Sequence, residues 1–402
     1  MGNSVQYNYN VATLYKKTVH DMMQAQTSNG LVPEVAPEFV QFTYGDGMFR
    51  DSPEWGSSCI LVPWYMYSWF GDKKVLQEAY DMMKKYIVYL QSKAKDNILY
   101  QGLGDWYDLG PQPPGVSQLT PPGVTASAIY YYDLTILSQI AGLLNNQRDG
   151  QYYRSLALTV KHAFNDKFFN QQTKQYATGS QTANAMAVYM QLVPDEYKEA
   201  VVDNIVKDLR QHNNSLSAGD IGYRYLLKVL DEAGKSNVIY DMNSRSDVPG
   251  YSYQLTKGAT ALTESWQALP NVSNNHFMLG HLKEWFYSGL AGISQDSNSV
   301  AYKNSIIAPQ PVGNINHAEA SFGSLYGLIK SSWFKTDSSF KLHVEIPVNT
   351  TTTMYLPAGE KSIVLMNGKP VDVKNVRKTS TGNYSTMNIK TGSGVYDFDV
   401  IN

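Results

Sequence analysis

Between residues 9 and 233, stretch after stretch repeats apolar side chains at helical spacing, and the stretches come in pairs joined by very short turns. The clearest is 72–94, where Val75, Leu76, Tyr80, Met83, Tyr86, Ile87 and Leu90 line one side of a helix packed on one face. Only Gly71 separates it from an apolar helix over 58–70, and so short a connection makes the two antiparallel neighbours. The same reading gives helices at 125–144 and 148–169, then at 182–192 and 194–212, with 9–26 before the series and 221–233 after it. Pro194 stands where a first-turn proline belongs. Between pairs lie long loops, 31–57 and 100–123, rich in Gly, Pro and aromatic residues, and loops of that length in a compact domain are commonly functional. Paired helices with long loops at every second connection describe an (α/α)6 toroid, which gathers alternate loops at one end of its axis.

After Ile293 the texture changes. Segments such as FKLHVEIPV, TTTMYLPAG and GVYDFDVIN alternate polar and apolar residues between Gly, Pro and Asn turns, and Asn367-Gly368 is a strong hairpin signal. The expectation is a mainly α domain over 1–293 followed by a β-sandwich over 294–402, about the usual sandwich size.

Charge and cysteine usage remove several function classes. The formal net charge is −2 with no long charged run, which argues against nucleic acid or an anionic membrane as partner. One cysteine, Cys59, excludes an internal disulfide framework and a cysteine-based zinc cluster. No apolar run reaches membrane-spanning length, and the first residues do not read as a signal peptide. No cofactor and no metal ion is expected. The 30 tyrosines suit either a sugar-binding surface or an aromatic core.

The segment 250–293 holds the first candidate for chemistry. Glu264 sits among Ala, Thr, Leu, Ser and Trp266, with no cation within four residues on its C-terminal side, so it needs buried partners or a catalytic task. Bracing a loop is the competing explanation. Asp51, Glu54 and Trp55 form a second constellation in FRDSPEWGS, and Asp105 and Trp106 a third in GLGDWYD; each reads equally as a loop brace with a core aromatic. His276, in Ser-Asn-Asn-His, is either a ligand contact or a satisfied core imidazole, while His281 reads as structural. Asp220 and Arg224 would face the same end of the bundle on topology alone.

GATALTESW followed by SNNHFMLGHLKEWFYSGLAGI resembles the closing section of the bacterial α-L-rhamnosidases of glycoside hydrolase family 78, and the similarity covers essentially the whole chain. Ala261 replaces the second Thr of the family pattern and Thr263 a frequent Trp. The resemblance implies that Glu264 is the general base of an inverting hydrolysis of terminal α-L-rhamnosides. It makes Asp51, Glu54, Trp55, Asp105, Trp106, Trp266 and His276 the substrate-binding residues, with a rhamnose-containing glycan or glycoside as partner. It also implies the same toroid, with its first helix or helices preceding residue 1. The family's acid would then lie upstream too, in an Asp-Cys-Pro-x-Arg-Glu motif, with Met1 an internal methionine. An inverting pair stands about 6.5–9.5 Å apart, leaving room for water. Two other functions stay open. A glycuronyl hydrolase or lyase on the same fold would use Arg50, Arg224, Arg245 or Lys257 for the uronate, and a non-catalytic sugar-binding protein would need no acid at all.

Overall fold

A computed structural model describes residues 2–359, 361–371, 376–378 and 385–401. Its helical part runs α1 (Gly2–Gln6), α2 (Ala12–Ala25), α3 (Pro53–Gly56), α4 (Ser58–Phe70), α5 (Lys73–Lys93), α6 (Pro122–Leu143) and α7 (Gln147–Phe168). After a short hairpin, β1 (Phe169–Asn170) and β2 (Gln175–Tyr176), follow α8 (Gln181–Tyr189), α9 (Lys198–Gln211), α10 (Gly222–Glu232), α11 (Ser236–Asn243), α12 (Tyr251–Thr256) and α13 (Leu282–Trp285). The last continues as a π-helical turn through Leu290.

Two kinds of helix alternate, and the sequence dictates which is which. In α6 every residue from Gly123 to Tyr130 is buried, and in α8 every residue from Gln181 to Val188. A helix buried on all sides must be surrounded by others. By contrast α5 buries Val75, Leu76, Ala79, Met82, Met83, Tyr86, Ile87 and Leu90 in one stripe and turns its charged residues to solvent. The buried helices make an inner ring, α4 beside α6, α6 beside α8, α8 beside α10 and α10 beside α13, while α5, α7, α9 and α11 pack outside them. The single turn of α1 continues the ring: Asn3 Nδ2 donates to Glu284 Oε1 at 2.9 Å, and Gly2 lies against the ring of Tyr65 in α4. This is the (α/α)6 toroid expected from the helix pairs.

Helix ends follow local chemistry. Asp72 caps α5 by accepting from the Val75 N–H at 3.1 Å, and Gly71 at φ 68° supplies the left-handed turn that stops α4. The helix expected over 9–26 begins only at Ala12, because Asn10 turns the chain by accepting the Ala12 N–H at 3.2 Å. Helices α11 and α12 lie where only a connecting segment was expected.

The C-terminal part is a two-sheet β domain. One sheet has the order β10 (Lys369–Pro370), β9 (Ile363–Met366), β13 (Gly394–Ile401), β7 (Ser339–Ile346), β6 (Gly327–Lys335), β5 (His317–Ser324). The other is β11 (Val376–Lys378), β12 (Ser385–Thr391), β8 (Thr351–Pro357), β4 (Asn304–Ile307), β3 (Ile293–Gln295). Phe340, Leu342, Val344 and Ile346 of β7 alternate inward to meet Met354 and Leu356 of β8, the period-two burial of facing sheets. The Asn367-Gly368 turn joins β9 to β10 with both φ angles positive, at 51° and 74°.

Because the inner helices α4, α6, α8, α10 and α13 are each reached from the outer side, the loops leading into their N-termini gather at one end of the ring. Those loops, 26–57, 94–121, 169–180, 212–221 and 244–281, carry nearly every residue singled out above.

Candidate active site

The loops are fastened to one another by Asp105. Its carboxylate is fully buried and accepts from Thr182 Oγ1 at 2.5 Å, Gly219 N at 2.9 Å, Gly222 N at 2.7 Å and Ile221 N at 3.2 Å. Burial lifts its pKa to about 6, against those hydrogen bonds, which lower it. An oxygen pair so engaged has nothing left for a ligand. Asp105 is thus corrected from a substrate contact to the anchor that pins the 100–108 loop onto the start of α10. Two glycines make the approach possible. A Cβ on Gly222 would stand 1.9 Å from Thr182 Oγ1, and one on Gly219 2.2 Å from the Trp106 carbonyl. Gly222→Ala is expected to destabilise the protein by about 1–3 kcal/mol, as overpacking does, read as a lowered urea midpoint; an unchanged midpoint would contradict this packing.

Holding Asp105 places Trp106. Its indole, partly exposed, meets Phe49 edge-on at 5.1 Å and donates Nε1–H to Glu264 Oε1 at a long 3.5 Å. The other oxygen of Glu264 accepts from Ser273 N at 3.3 Å, and the Glu264 N–H itself donates to the Ser273 carbonyl at 2.9 Å. Glu264 is partly exposed, and no Lys, Arg or His pairs with it among the described residues. Trp266, expected to wall the pocket, does not: it has no exposed surface, donates Nε1–H to Ala218 O at 2.9 Å and packs edge-on against Tyr223 and Tyr251. One residue, Ser265, separates it from Glu264, and the chain bends there, turning one side chain outward and the other into the core.

On the neighbouring loop, Glu54 sits in the first turn of α3, 8% exposed, accepting from Thr125 Oγ1 at 2.5 Å. Its Oε2 has no partner among the described residues and lies over Gly102, whose missing side chain leaves room: a Cβ there would be 2.9 Å away. Burial raises the Glu54 carboxyl from 4.5 to about 7. Asp51 accepts from Tyr89 O–H at 2.5 Å with Lys93 Nζ at 4.0 Å, and Trp55 is half-buried beside them. Glu34 joins this group unforeseen. It accepts the Ser52 N–H at 2.7 Å, and burial lifts it to about 8, with the charges of Glu54 and Asp51 adding to the rise. Nothing in its proline-punctuated segment marks it out; only the fold brings it against Ser52.

The folded protein holds the Glu54 proton more tightly than the unfolded chain, so this group's contribution to stability declines as pH rises from about 4.5 to about 7. Glu54→Gln is therefore expected to flatten the fall in thermal stability over that window; parallel melting-temperature curves for the two proteins would contradict it.

Asp220 and His281 complete the floor. Asp220 is 2% exposed, donates its N–H to the Trp106 carbonyl at 2.8 Å and offers its own carbonyl to His281 Nε2 at 3.3 Å. Burial, then the charges of Asp105 and Glu264, push its carboxyl well above the usual range, and burial holds His281 well below its own. His276 donates its backbone N–H to Leu262 O at 2.8 Å, placing it across the loop from Glu264. Among the described residues, buried polar atoms without a partner concentrate in these loops: Glu54 Oε2, Gln101 Nε2, Asp220 Oδ1, Gln254 Nε2 and the Nδ1 atoms of His276 and His281. Native proteins leave few such atoms, so their concentration marks a place for a polar ligand.

The cations considered for a uronate are otherwise engaged. Arg50 pairs with Glu38, Arg245 with Asp247, and Arg224, in the first turn of α10, is buried against Glu284. The Lys257 ammonium stands 4.9 Å over the Tyr253 ring.

Comparison with known proteins identifies the family. The bacterial alpha-L-rhamnosidase 6 hairpin glycosidase domain matches residues 1–290, and the bacterial alpha-L-rhamnosidase C-terminal domain matches residues 292–369. An alpha-L-rhamnosidase of Formosa agariphila is 27% identical over 99% of the chain and 43% of its own length. One from Streptomyces avermitilis is 30% identical over 88% of the chain and 33% of its own length. The solved alpha-L-rhamnosidase from Dictyoglumus thermophilum superposes with a TM-score of 0.89 at 29% identity, over 100% of this chain and 45% of that one. The Streptomyces avermitilis enzyme complexed with L-rhamnose gives 0.87 at 27% identity, over 99% of this chain and 37% of that one. The chain thus spans less than half the length of these relatives. It belongs to the bacterial α-L-rhamnosidase family of glycosidases, with the six-hairpin domain over residues 1–290 and the C-terminal domain after it.

Proposed function

We propose that the chain carries the general base and much of the sugar pocket of an inverting hydrolase for terminal α-L-rhamnosides. The observation that supports this most directly is Glu264, an accessible carboxylate steadied by two N–H donors and no cation, amid the unpartnered polar atoms of the loop end. As base it takes a proton from water while the water oxygen bonds to the anomeric carbon. The bond to the leaving oxygen breaks as an acid protonates that oxygen. On this reading the acid belongs to the Asp-Cys-Pro-x-Arg-Glu motif, which the 402 residues do not contain. Asp51, Glu54 and His276 hold ring hydroxyls, and Trp55 and Trp106 offer apolar faces to the 6-methyl group that distinguishes a deoxysugar. Asp105 and Trp266 act from behind, fixing the loops.

The engaged state of Arg50, Arg224 and Arg245 weighs against a uronate substrate, which needs a free guanidinium. Assays with aryl α-L-rhamnosides and aryl uronides, with the first-formed anomer read by proton NMR, test the proposal. Initial β-L-rhamnose is expected; initial α-L-rhamnose, or cleavage of uronides alone, would overturn it. The 402-residue chain by itself is expected to bind L-rhamnose and turn over slowly, since general acid assistance is worth about 10²–10⁴-fold.

One observation favours a second reading, in which Glu54 is the acid: its carboxyl, lifted by burial to about 7, keeps a proton near neutrality and has an unpartnered oxygen. The alkaline limb of the kcat/KM profile separates the two. It persists in Glu54→Gln if the acid lies elsewhere and disappears if Glu54 supplies the proton.

A further inference from the structure

At the opposite end of α4 from Glu54, about 20 Å away by the rise of an α-helix, a cavity of about 290 Å³ opens between the barrel and the β domain. Trp69, Phe70 and Phe322 supply aromatic surface, Tyr9 stands at the rim 71% exposed, and Asn8 and Asn10 contribute amides. Among the described residues no Asp, Glu, Lys, Arg or His lines it. Part of its hydrogen-bonding capacity is already committed: Asn8 Nδ2 donates to Ser4 O, and Asn10 Oδ1 accepts from Ala12 N, leaving Asn8 Oδ1 and Asn10 Nδ2 for a ligand. Aromatic faces interleaved with uncharged donors and acceptors suit a molecule that is apolar on its faces and hydroxylated at its edges. A charged headgroup, phosphate or carboxylate finds no counter-charge there. The volume is at the small end for ligand cavities, about 300–1,000 Å³, and so fits a single ring.

We propose that this cavity is a second, non-catalytic binding site for one uncharged sugar unit, formed jointly by the α1–α2 connection, the end of α4 and strand β5. It shares no residue with the loops around Glu264 and does not depend on the function proposed for them.

Leu325, 62% exposed at the rim, gives a means of spoiling it, because Leu325→Asp sets a charge in a cavity whose lining has none. Saturation-transfer NMR and calorimetric titration of the Glu264→Gln protein with L-rhamnose and with the neutral disaccharide rutinose read the sites without turnover. The expected result is a class of binding lost in Leu325→Asp and in Tyr9→Ala, with aryl rhamnosidase kcat/KM within about twofold of the parent when the same changes are made in the active protein. Both substitutions guard against a folding defect, since each alters an exposed side chain. Sugar binding that survives both substitutions, or binding confined to sites that both leave intact, would overturn the proposal. If instead the reading of Glu264 were wrong, the class sensitive to Leu325→Asp would still be present.

Discussion

Replacing Glu264 by Gln in the catalytically competent protein is expected to lower kcat on an aryl α-L-rhamnoside by about 10²–10⁴-fold, the usual worth of a positioned base, with KM changing only a few-fold. The amide keeps the volume of the acid, and the backbone around it is fixed independently, by the Glu264 N–H on Ser273 O and by Thr263 Oγ1 on the Ser265 carbonyl at 2.6 Å. What is lost is the proton acceptor. A substrate bound by Asp51, Trp55, Trp106 and His276 should notice little in its ground state, so the loss belongs in kcat. Stability should change by no more than about 0.5 kcal/mol, as for a side chain outside the core. A fall in kcat below tenfold would remove Glu264 from the role of base, while an equal rise in KM would make it a binding residue.

Arg224→Met is expected to destabilise the helical domain by about 3–5 kcal/mol, the cost of leaving one member of a buried ion pair alone. Arg224 is 8% and Glu284 5% exposed; Arg224 Nε donates to Glu284 Oε2 at 3.1 Å and Nη2 to Oε1 at 3.2 Å. Burial drives the Glu284 carboxyl up, but Arg224, then Lys228 and Asn3, more than offset it and hold it below its ordinary value. A depressed carboxylate contributes stability above its unfolded pKa and loses it as pH falls through the folded value. The penalty of Arg224→Met should therefore be largest near pH 7 and shrink towards acid, where Glu284 takes up a proton. Urea unfolding at both pH values checks this, and a pH-independent penalty would mean that lost packing against Tyr189 and Tyr225, 5.5 and 5.7 Å from the guanidinium, dominates.

The helical series was plain in the sequence because burial on one side writes a period of 3.6 residues, and the inner and outer helices even differ in how completely apolar they are. Direction was harder. GATALTESW names Glu264 and Trp266 together, yet one faces outward and the other fills the core, a difference set by Tyr223, Tyr251 and the Ala218 carbonyl. Asp105 looked like a ligand contact because glycines flank it; its partners lie 77 to 117 residues further along the chain, where no local pattern reaches. Arg224 lies in the first turn of α10, and its pairing with Glu284, 60 residues further along, leaves no local pattern. Glu34 and α11 carried no signal, the first for want of a motif and the second because a helix of eight residues seldom declares itself.

The β domain touches both ends of the helical series. Ser68, near the end of α4, accepts on its carbonyl from Ala301 N at 2.8 Å and Gln295 Nε2 at 3.2 Å. At the other end, Trp333 Nε1 donates to Leu290 O at 2.8 Å and Ser331 Oγ to Ala291 O at 2.7 Å. The sheets therefore act as a clasp across the seam of the ring, so that the hairpin carrying Glu54 and the segment carrying Glu264 cannot drift apart without unfastening a separate fold first.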